Sequence, residues 1–449
     1  MQDTTKHDPR IRIPAIHKMA ADFASLFPCK DAPGPLMVRL ARRAAELLRQ
    51  DPNRTYNEAL LREVAEPLLQ PGPKAVINGT GILLHTNLGR SPLPQAWIQE
   101  ALQDVYAYTN LEMDLHSGKR SHRDQHFTRL AQLVWGVEDA TLVNNAAAGV
   151  SLTLAALGAG GETLVSRGEL IEIGGSYRLP DIMSLAGSQL REVGTTNKTR
   201  IGDYESAISE ASALLLKTHT SNYRIEGFTA SVPLEQLVAL GRAKSLPVVM
   251  DLGSGLSSAM PFPPVDEPFI EQYLEADPDV MIFSGDKLFG SIQAGIIVGK
   301  KAFISRIRKH PMMRMLRADK LSIAVLCKQL RETVFGNPHP LSILANTTVA
   351  QLRPRAEVIV AKLAHSGIHA NIMEEDAFMG GGSLPQEKRD TLALVFKAKG
   401  LDALARRLRL GTTPVVGYIR NDALYLNLAS VLVEQDEDLT TALIKAMTH

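Results

Sequence analysis

The sequence is short of cysteine, of long apolar runs and of net charge, and each shortage excludes something. Only two cysteines, Cys29 and Cys327, occur in 449 residues. They are too few for a disulfide framework and lack the spacing of a zinc site, so no metal centre is expected. No apolar run approaches the ~18 residues of a membrane-spanning helix. Leu214-Leu215-Leu216 stops at Lys217 and reads as a buried strand. With 49 Lys and Arg against 48 Asp and Glu, the formal net charge is +1, which excludes a polybasic arm or an acidic tail as the main theme. The start, Met1-Gln2-Asp3-Thr4-Thr5-Lys6-His7-Asp8, carries no apolar signal stretch, and a cytoplasmic protein is expected. Gly158-Ala159-Gly160-Gly161 lacks the dinucleotide-binding G-x-G-x-x-G spacing and reads as a turn.

What is present is core material, since 45% of residues are hydrophobic, in a length that suits two or three domains. The first seventy or so residues read as helical, with Ala41 to Gln50 and Tyr56 to Leu69 separated by Asp51-Pro52-Asn53. Pro71-Gly72-Pro73 marks a boundary. Arg39, Arg42, Arg43 and Arg49 concentrate on one segment, which is either a solvated face or a contact for a polyanion. From about residue 140, short apolar segments alternate with helical ones: Ala140–Val143, Glu162–Ser166, Ala213–Lys217, Pro247–Asp251, Val280–Ser284 and Gly295–Gly299. Buried parallel strands with crossover helices read this way, giving an α/β fold with a mainly parallel central sheet. After about 350, helical stretches (Ala350 to His365, Gly400 to Leu408) flank two strand-like runs, Pro414 to Ile419 and Ala423 to Leu428, which suggests a smaller α+β domain.

The chemistry centres on Ser284-Gly285-Asp286-Lys287, just past an apolar strand. A lysine there is either an ordinary turn residue or one placed to condense with an aldehyde cofactor. Asp251, thirty-six residues earlier at the end of another strand, favours the second reading, because pyridoxal phosphate needs a carboxylate at its ring nitrogen as well as a lysine at its aldehyde. Asn144-Asn145-Ala146-Ala147-Ala148-Gly149 follows a strand and opens a helix. Its small residues allow backbone N–H groups to meet an anion, or simply make a tight turn. Asn222, beyond the Ala213–Lys217 strand, is placed to bond the cofactor's phenolic oxygen, and neighbouring His219 is a structural or a functional histidine. From Lys300 to Lys320 eight basic residues face the single acid Asp319. Arg314 and Arg317 are three apart, so on a helix they share a side and fork onto an oxyanion, with Arg90 a third candidate.

These residues fall in stretches that resemble the bacterial selenocysteine synthases, the L-seryl-tRNA(Sec) selenium transferases: Ile77 to Arg90, Ser166 to Ser176, Glu192 to Asn197, His219 to Asn222, Ser284 to Lys287, Leu316 to Lys320 and Gly380 to Pro385. The resemblance implies a fold-type-I pyridoxal phosphate enzyme. Its expected domains are a helical, tRNA-contacting one over 1–74, the large cofactor-binding α/β one over 75–335 and a small α+β one over 336–449. It implies conversion of L-seryl-tRNA(Sec) to L-selenocysteinyl-tRNA(Sec) with selenophosphate through a cofactor-bound aminoacrylyl intermediate. Lys287 is then the Schiff-base lysine and Asp251 the ring-nitrogen partner. Asn145, Ala146, Ala147 and Asn222 are expected at the cofactor, and Arg90, Arg314 and Arg317 at the selenium donor. A homo-oligomer built from dimers, a homodecameric ring, is also implied. The alternative is a pyridoxal phosphate lyase or ammonia-lyase acting on a free small amino compound. The chain departs from the family pattern at Ala146, Ser121, Ser291-Ile292, Tyr418 and Ala429, and none of these is Lys287 or Asp251.

Overall fold

The computed structural model describes residues 13–27, 34–51, 53–69, 72–174, 177–258, 267–380 and 388–448. Cys29, Pro52, Pro71, Gly175-Ser176 and the stretch Gly381 to Pro385 lie outside them. Contacts divide the chain into two compact units, Met1–Ala75 and Val76–His449.

The first unit is three helices, α1 (Ile16–Ser25), α2 (Gly34–Gln50) and α3 (Glu58–Leu69). Helix α2 is amphipathic at a period of 3.6. Met37, Ala41, Ala44, Ala45 and Leu48 are buried against Met19 and Phe23 of α1 and Leu60, Leu61 and Ala65 of α3. Arg39, Arg42, Arg43 and Arg49 all fall on the exposed side, where Arg43 pairs with Glu46 at 3.4 Å.

The second unit holds a seven-stranded sheet: β1 (Asp139–Val143), β2 (Glu162–Ser166), β3 (Gln189–Val193), β4 (Ser212–Thr218), β5 (Val248–Gly253), β6 (Val280–Ser284) and β7 (Gly295–Gly299). The spatial order is β1-β7-β6-β5-β4-β2-β3. All neighbours are parallel except that β7 runs antiparallel to both β1 and β6. Strands β1, β6 and β7 are buried at every position because both faces are covered. Met281 and Phe283 enter one core with Trp135, while Val280 and Ile282 enter the other with the helix α4 (Ala146–Leu157). Each such buried aliphatic side chain contributes roughly 1.5–3 kcal/mol. The sequence reading missed β3, whose exposed edge residues Gln189, Arg191 and Glu192 carry no apolar run.

A second, antiparallel sheet has the order β8 (Asn371–Phe378), β9 (Lys388–Phe396), β11 (Ala423–Asn427), β10 (Tyr418–Arg420). It packs on the helices Val349–His365 and Asp436–Thr448. Strands β8 and β9 were also unforeseen, since Glu374, Glu375, Asp376 and Lys388 to Asp390 mask the apolar positions. The predicted run Pro414 to Ile419 splits at Gly417. Val415–Val416 pairs in parallel with Ile77–Asn78, and only Tyr418 onward joins the sheet. Through this pairing, and the bridges Thr80 to Asn427 and Ile82 to Phe378, the segment leading to Arg90 is laid across the small sheet before it reaches the large one.

Candidate active site

The site lies where strands of the large sheet end. Past β1 the chain turns through Asn144 and Asn145 into α4, and Asn145 caps that helix by accepting from Ala148 N at 2.8 Å. The first-turn amides of a helix have no intrahelical acceptor, so Ala146 and Ala147 present N–H groups beside minimal side chains. The turn is held tightly. A Cβ on Gly295 of β7 would stand 2.2 Å from Asn145 O, so only glycine permits this approach.

The parallel pairing of β4 with β5 sets Thr218 opposite Asp251, and His219 N donates to Asp251 O at 2.8 Å. The strand continues two residues past Asp251, which leaves that side chain 5% exposed. Its Oδ1 is buried and has no hydrogen-bond partner among the described residues. Burial pushes its pKa up to about 6, against the opposing pull of Lys287, of Gly253 N–H and of His219. Lys287 follows β6 and is 6% exposed. Burial lowers its pKa and the charge of Arg90 lowers it further, while Asp251, Asp286 and Glu267 oppose the shift. Lys287 and Asp251 thus sense each other's charge without standing in ion-pair contact.

Arg90 reaches the same loop. Its backbone is left-handed (φ 63°), a conformation that costs a non-glycine residue strain. Its Nη1 donates to Asp286 Oδ2 at 2.8 Å, while Ser284 Oγ donates to Asp286 Oδ1 at 2.6 Å. Asp286 had no assigned role in the sequence reading, although it lies inside the motif that signalled Lys287.

The other two arginines are arranged differently from the expectation. The helix α5 (Met313–Leu316) is a single turn, and Arg317 is the extended residue after it (φ −61°, ψ 141°), so the pair does not share a helical side. Arg317 instead bridges Val143 through its backbone, and Leu316 O accepts from Asn144 N at 2.9 Å, which brings the segment to the α4 turn. Its side chain lines a recess of about 330 Å³ with Arg120, Arg123 and Arg308. Glu112 there binds Arg120 and Arg123, each at 3.0 Å, and lies 3.6 Å from Arg317. Arg314 is exposed, and its charge depresses the pKa of Arg317 after burial and Arg123. Arg90 is thus anchored at Asp286 in the lysine loop, whereas Arg317 stands beside Glu112 in the recess. Arg308, counted in the basic cluster, turns inward onto Asp139 at 2.8 and 3.0 Å and serves the core.

Asn222 Nδ2 donates to Glu172 O at 2.9 Å, and its buried Oδ1 has no hydrogen-bond partner among the described residues. His219 is engaged at both ring nitrogens, Nε2 with Glu267 Oε2 at 2.9 Å and Nδ1 with the Tyr273 hydroxyl at 3.2 Å. The Glu267 carboxylate accepts from Nε2–H, and burial raises the Tyr273 pKa, which keeps that hydroxyl protonated beside Nδ1. Glu267, whose side chain is 1% exposed, also accepts from Ser254 Oγ. Sequence reasoning missed Glu267, since no motif marks it. It also missed Tyr177, whose pKa is raised by burial and then by the charge of Asp251.

Known proteins match this chain over most of its length. The model of the family described as L-seryl-tRNA selenium transferase matches residues 76–432. A protein of Geobacter metallireducens named L-seryl-tRNA(Sec) selenium transferase is 42% identical over 377 residues, 82% of this chain and 81% of its own. One of the same name from Geotalea daltonii is 38% identical over 434 residues, 92% of this chain and 93% of its own. Among solved structures, D-glucosaminate-6-phosphate ammonia-lyase superposes with a TM-score of 0.60 over 85% of this chain and 98% of its own. At 20% identity, that likeness concerns the fold.

Proposed function

Because this chain belongs to the L-seryl-tRNA selenium transferase family, we propose that it converts L-seryl-tRNA(Sec) to L-selenocysteinyl-tRNA(Sec), with selenophosphate as selenium donor. Its cofactor is pyridoxal 5′-phosphate. The residues present fit that group. A buried amine and a buried carboxylate with an orphaned oxygen stand within electrostatic reach but apart, as a flat ring with an aldehyde on one side and a basic nitrogen on the other requires. The single observation that carries the reading is Asp251, a buried carboxylate whose Oδ1 has no hydrogen-bond partner among the described residues.

When bound, the cofactor supplies an aldehyde for the serine amine and a ring that accepts the electron pair left by the α-proton. The Asp251 carboxylate would hold the cofactor at its ring nitrogen and keep that nitrogen protonated. Asn145, Ala146 and Ala147 receive the phosphate at the first turn of α4, where the helix dipole favours an anion. Asn222 contacts the cofactor beside its phenolic oxygen. Lys287 Nζ, with its pKa lowered by burial, takes the proton from the serine α-carbon once the amine is free. The proton held on Lys287 Nζ would go to the departing β-hydroxyl, which leaves as water; the selenium of selenophosphate would then bond the β-carbon as its bond to phosphorus is cleaved by water and phosphate departs, and Lys287 would return a proton to the α-carbon. Arg90, Arg314 and Arg317 bind the donor's phosphate oxygens. Arg90 keeps N–H groups beyond the one given to Asp286, and that bond fixes its head beside Lys287.

The remaining assignments belong to the same reading: a tRNA-contacting domain over 1–74 with the arginine face of α2, the large and small domains over 75–335 and 336–449, a decameric ring of dimers, and a cytoplasmic location. The test is to supply the holoenzyme with seryl-tRNA(Sec) and selenophosphate and to analyse the esterified amino acid. Selenocysteine is expected. Unchanged serine, together with elimination from a free amino compound, would replace this reading with the lyase one.

A further inference from the structure

We infer that a second recess, joined to Asp251 through His219 and flanked by Phe228 through Lys198, receives the unpaired 3′ end of the charged RNA, with the terminal nucleoside inside and a neighbouring base stacked on Phe228. The inference rests on the proposed function and adds where the nucleic-acid part of that substrate is read. The recess has a volume of about 430 Å³, more than a free serine fills. Its lining is rich in hydroxyls, among them Thr196, Thr220, Thr229 and Ser231, which suit a ribose and the edge of a base. The wall is held in shape by the buried ion pair of Lys217 with Glu169 at 2.7 Å, and Glu169 also accepts from Thr218 N at 3.1 Å.

Two of its lining residues tie it to the chemistry. Glu267 acts on the Lys287 charge, and His219 acts on Asp251 and donates to its carbonyl. Only a few bonds separate the serine α-amine from the ribose that carries it, so the terminal nucleoside has to lie beside the lysine that the amine displaces. Next to that wall, Phe228 is 86% exposed, which leaves its ring face open to a base. It is not loosely held. Its carbonyl accepts from Asn197 Nδ2 at 2.6 Å, and Lys198 Nζ stands 5.6 Å from the ring centroid. Asn197, Lys198 and Thr229 line the recess, so the residues that bond, face and follow Phe228 belong to its wall. An exposed aromatic beside a cation is how proteins grip single-stranded nucleic acid: base stacking on the ring, phosphate on the charge.

The test compares binding of the full-length holoenzyme to uncharged tRNA(Sec) and to the same tRNA without its unpaired 3′ nucleotides. Wild type is expected to bind the shortened RNA about 5- to 100-fold more weakly. Phe228→Ala should bind the intact RNA more weakly than wild type does and narrow the gap between the two RNAs, while Phe228→Tyr restores it. Lys198→Ala should make the salt dependence of binding shallower by about one phosphate contact. Equal affinity of wild type for both RNAs overturns the inference and leaves the proposed function standing. So does a Phe228→Ala protein with unchanged affinity but altered oligomer mass, which would mean that the ring is covered by a second copy. Failure of wild type to bind either RNA overturns inference and function together.

Discussion

Lys287 and Asp251 are two ionisable groups in a place that disfavours charge on both, and their behaviour separates the cofactor reading from a merely structural one. Lys287→Ala should lose the visible absorbance of the bound cofactor and at least about 100-fold in turnover, while circular dichroism stays that of the folded protein. Turnover retained in that variant would remove Lys287 from the mechanism. For Asp251 the sign follows from its raised pKa of about 6 against 3.8. The folded cofactor-free protein binds the proton more readily than the unfolded chain, so this group favours folding below about pH 4, and that contribution is lost as pH rises to about 6. Asp251→Asn, which cannot ionise, should therefore stabilise the cofactor-free protein at pH 8 by up to about 3 kcal/mol, with the advantage shrinking on acidification. Added cofactor should reverse the order, since only the carboxylate meets a ring N–H. Thermal unfolding of both proteins at pH 8 and pH 5, with and without cofactor, reads all eight combinations. Both residues were legible in the sequence because each follows or closes an apolar strand. Glu267 and Tyr177 were not, because their proximity is created by strand order and by no local pattern.

The same logic at the scale of elements points to the helix α6 (Pro340–Asn346), which is pinned to the lysine loop. His339 caps it, Nδ1 accepting from Ser342 N at 3.3 Å, and burial pushes the pKa of its imidazole down to about 4. Its ring lies against Gly290, three residues past Lys287, where an added Cβ would come 2.1 Å from His339 Cε1 on a backbone with φ +74°. Gly290→Ala should cost about 2 kcal/mol or more through strain and overlap together, seen as a lowered Tm and weaker cofactor retention. For His339 the folded pKa is depressed, so its contribution is full above about pH 6.5 and is lost as pH falls toward 4. This runs opposite to Asp251 over nearly the same window. His339→Asn should keep a capping side chain while making stability depend on about one proton fewer between pH 6.5 and 4, as measured by denaturant unfolding across that range. Elements showed in the sequence where burial was uniform, as in β6 and β7, whose limits match the apolar runs. They were hidden where strands lie at an edge or carry charge, as in β3 and β8. The one-turn helix before Arg317 shows a third limit, since a spacing of three proves nothing about a shared side when the helix ends between the two residues.

At the scale of the whole molecule, the site depends on segments far apart in sequence: the turn after β1, the ends of β4 to β6, the Arg90 segment laid over the small sheet, and the Arg317 segment bridged to Val143. Family membership covers most of this unit, while the role of the first unit rests on its chemistry. Exchanging Arg39, Arg42 and Arg43 for glutamate, all on the exposed side of α2, should leave the cofactor spectrum intact. It should weaken tRNA binding by at least about 10-fold at low salt and flatten its salt dependence. Unchanged binding would make that side a solvated face. The central claim, that the reacting amine arrives attached to RNA, is tested most directly by recording the visible absorbance of the holoenzyme while adding seryl-tRNA(Sec) and, separately, free L-serine. The account predicts a band that shifts with the charged tRNA and is indifferent to the free amino acid; a shift with free serine and none with the charged tRNA would contradict it.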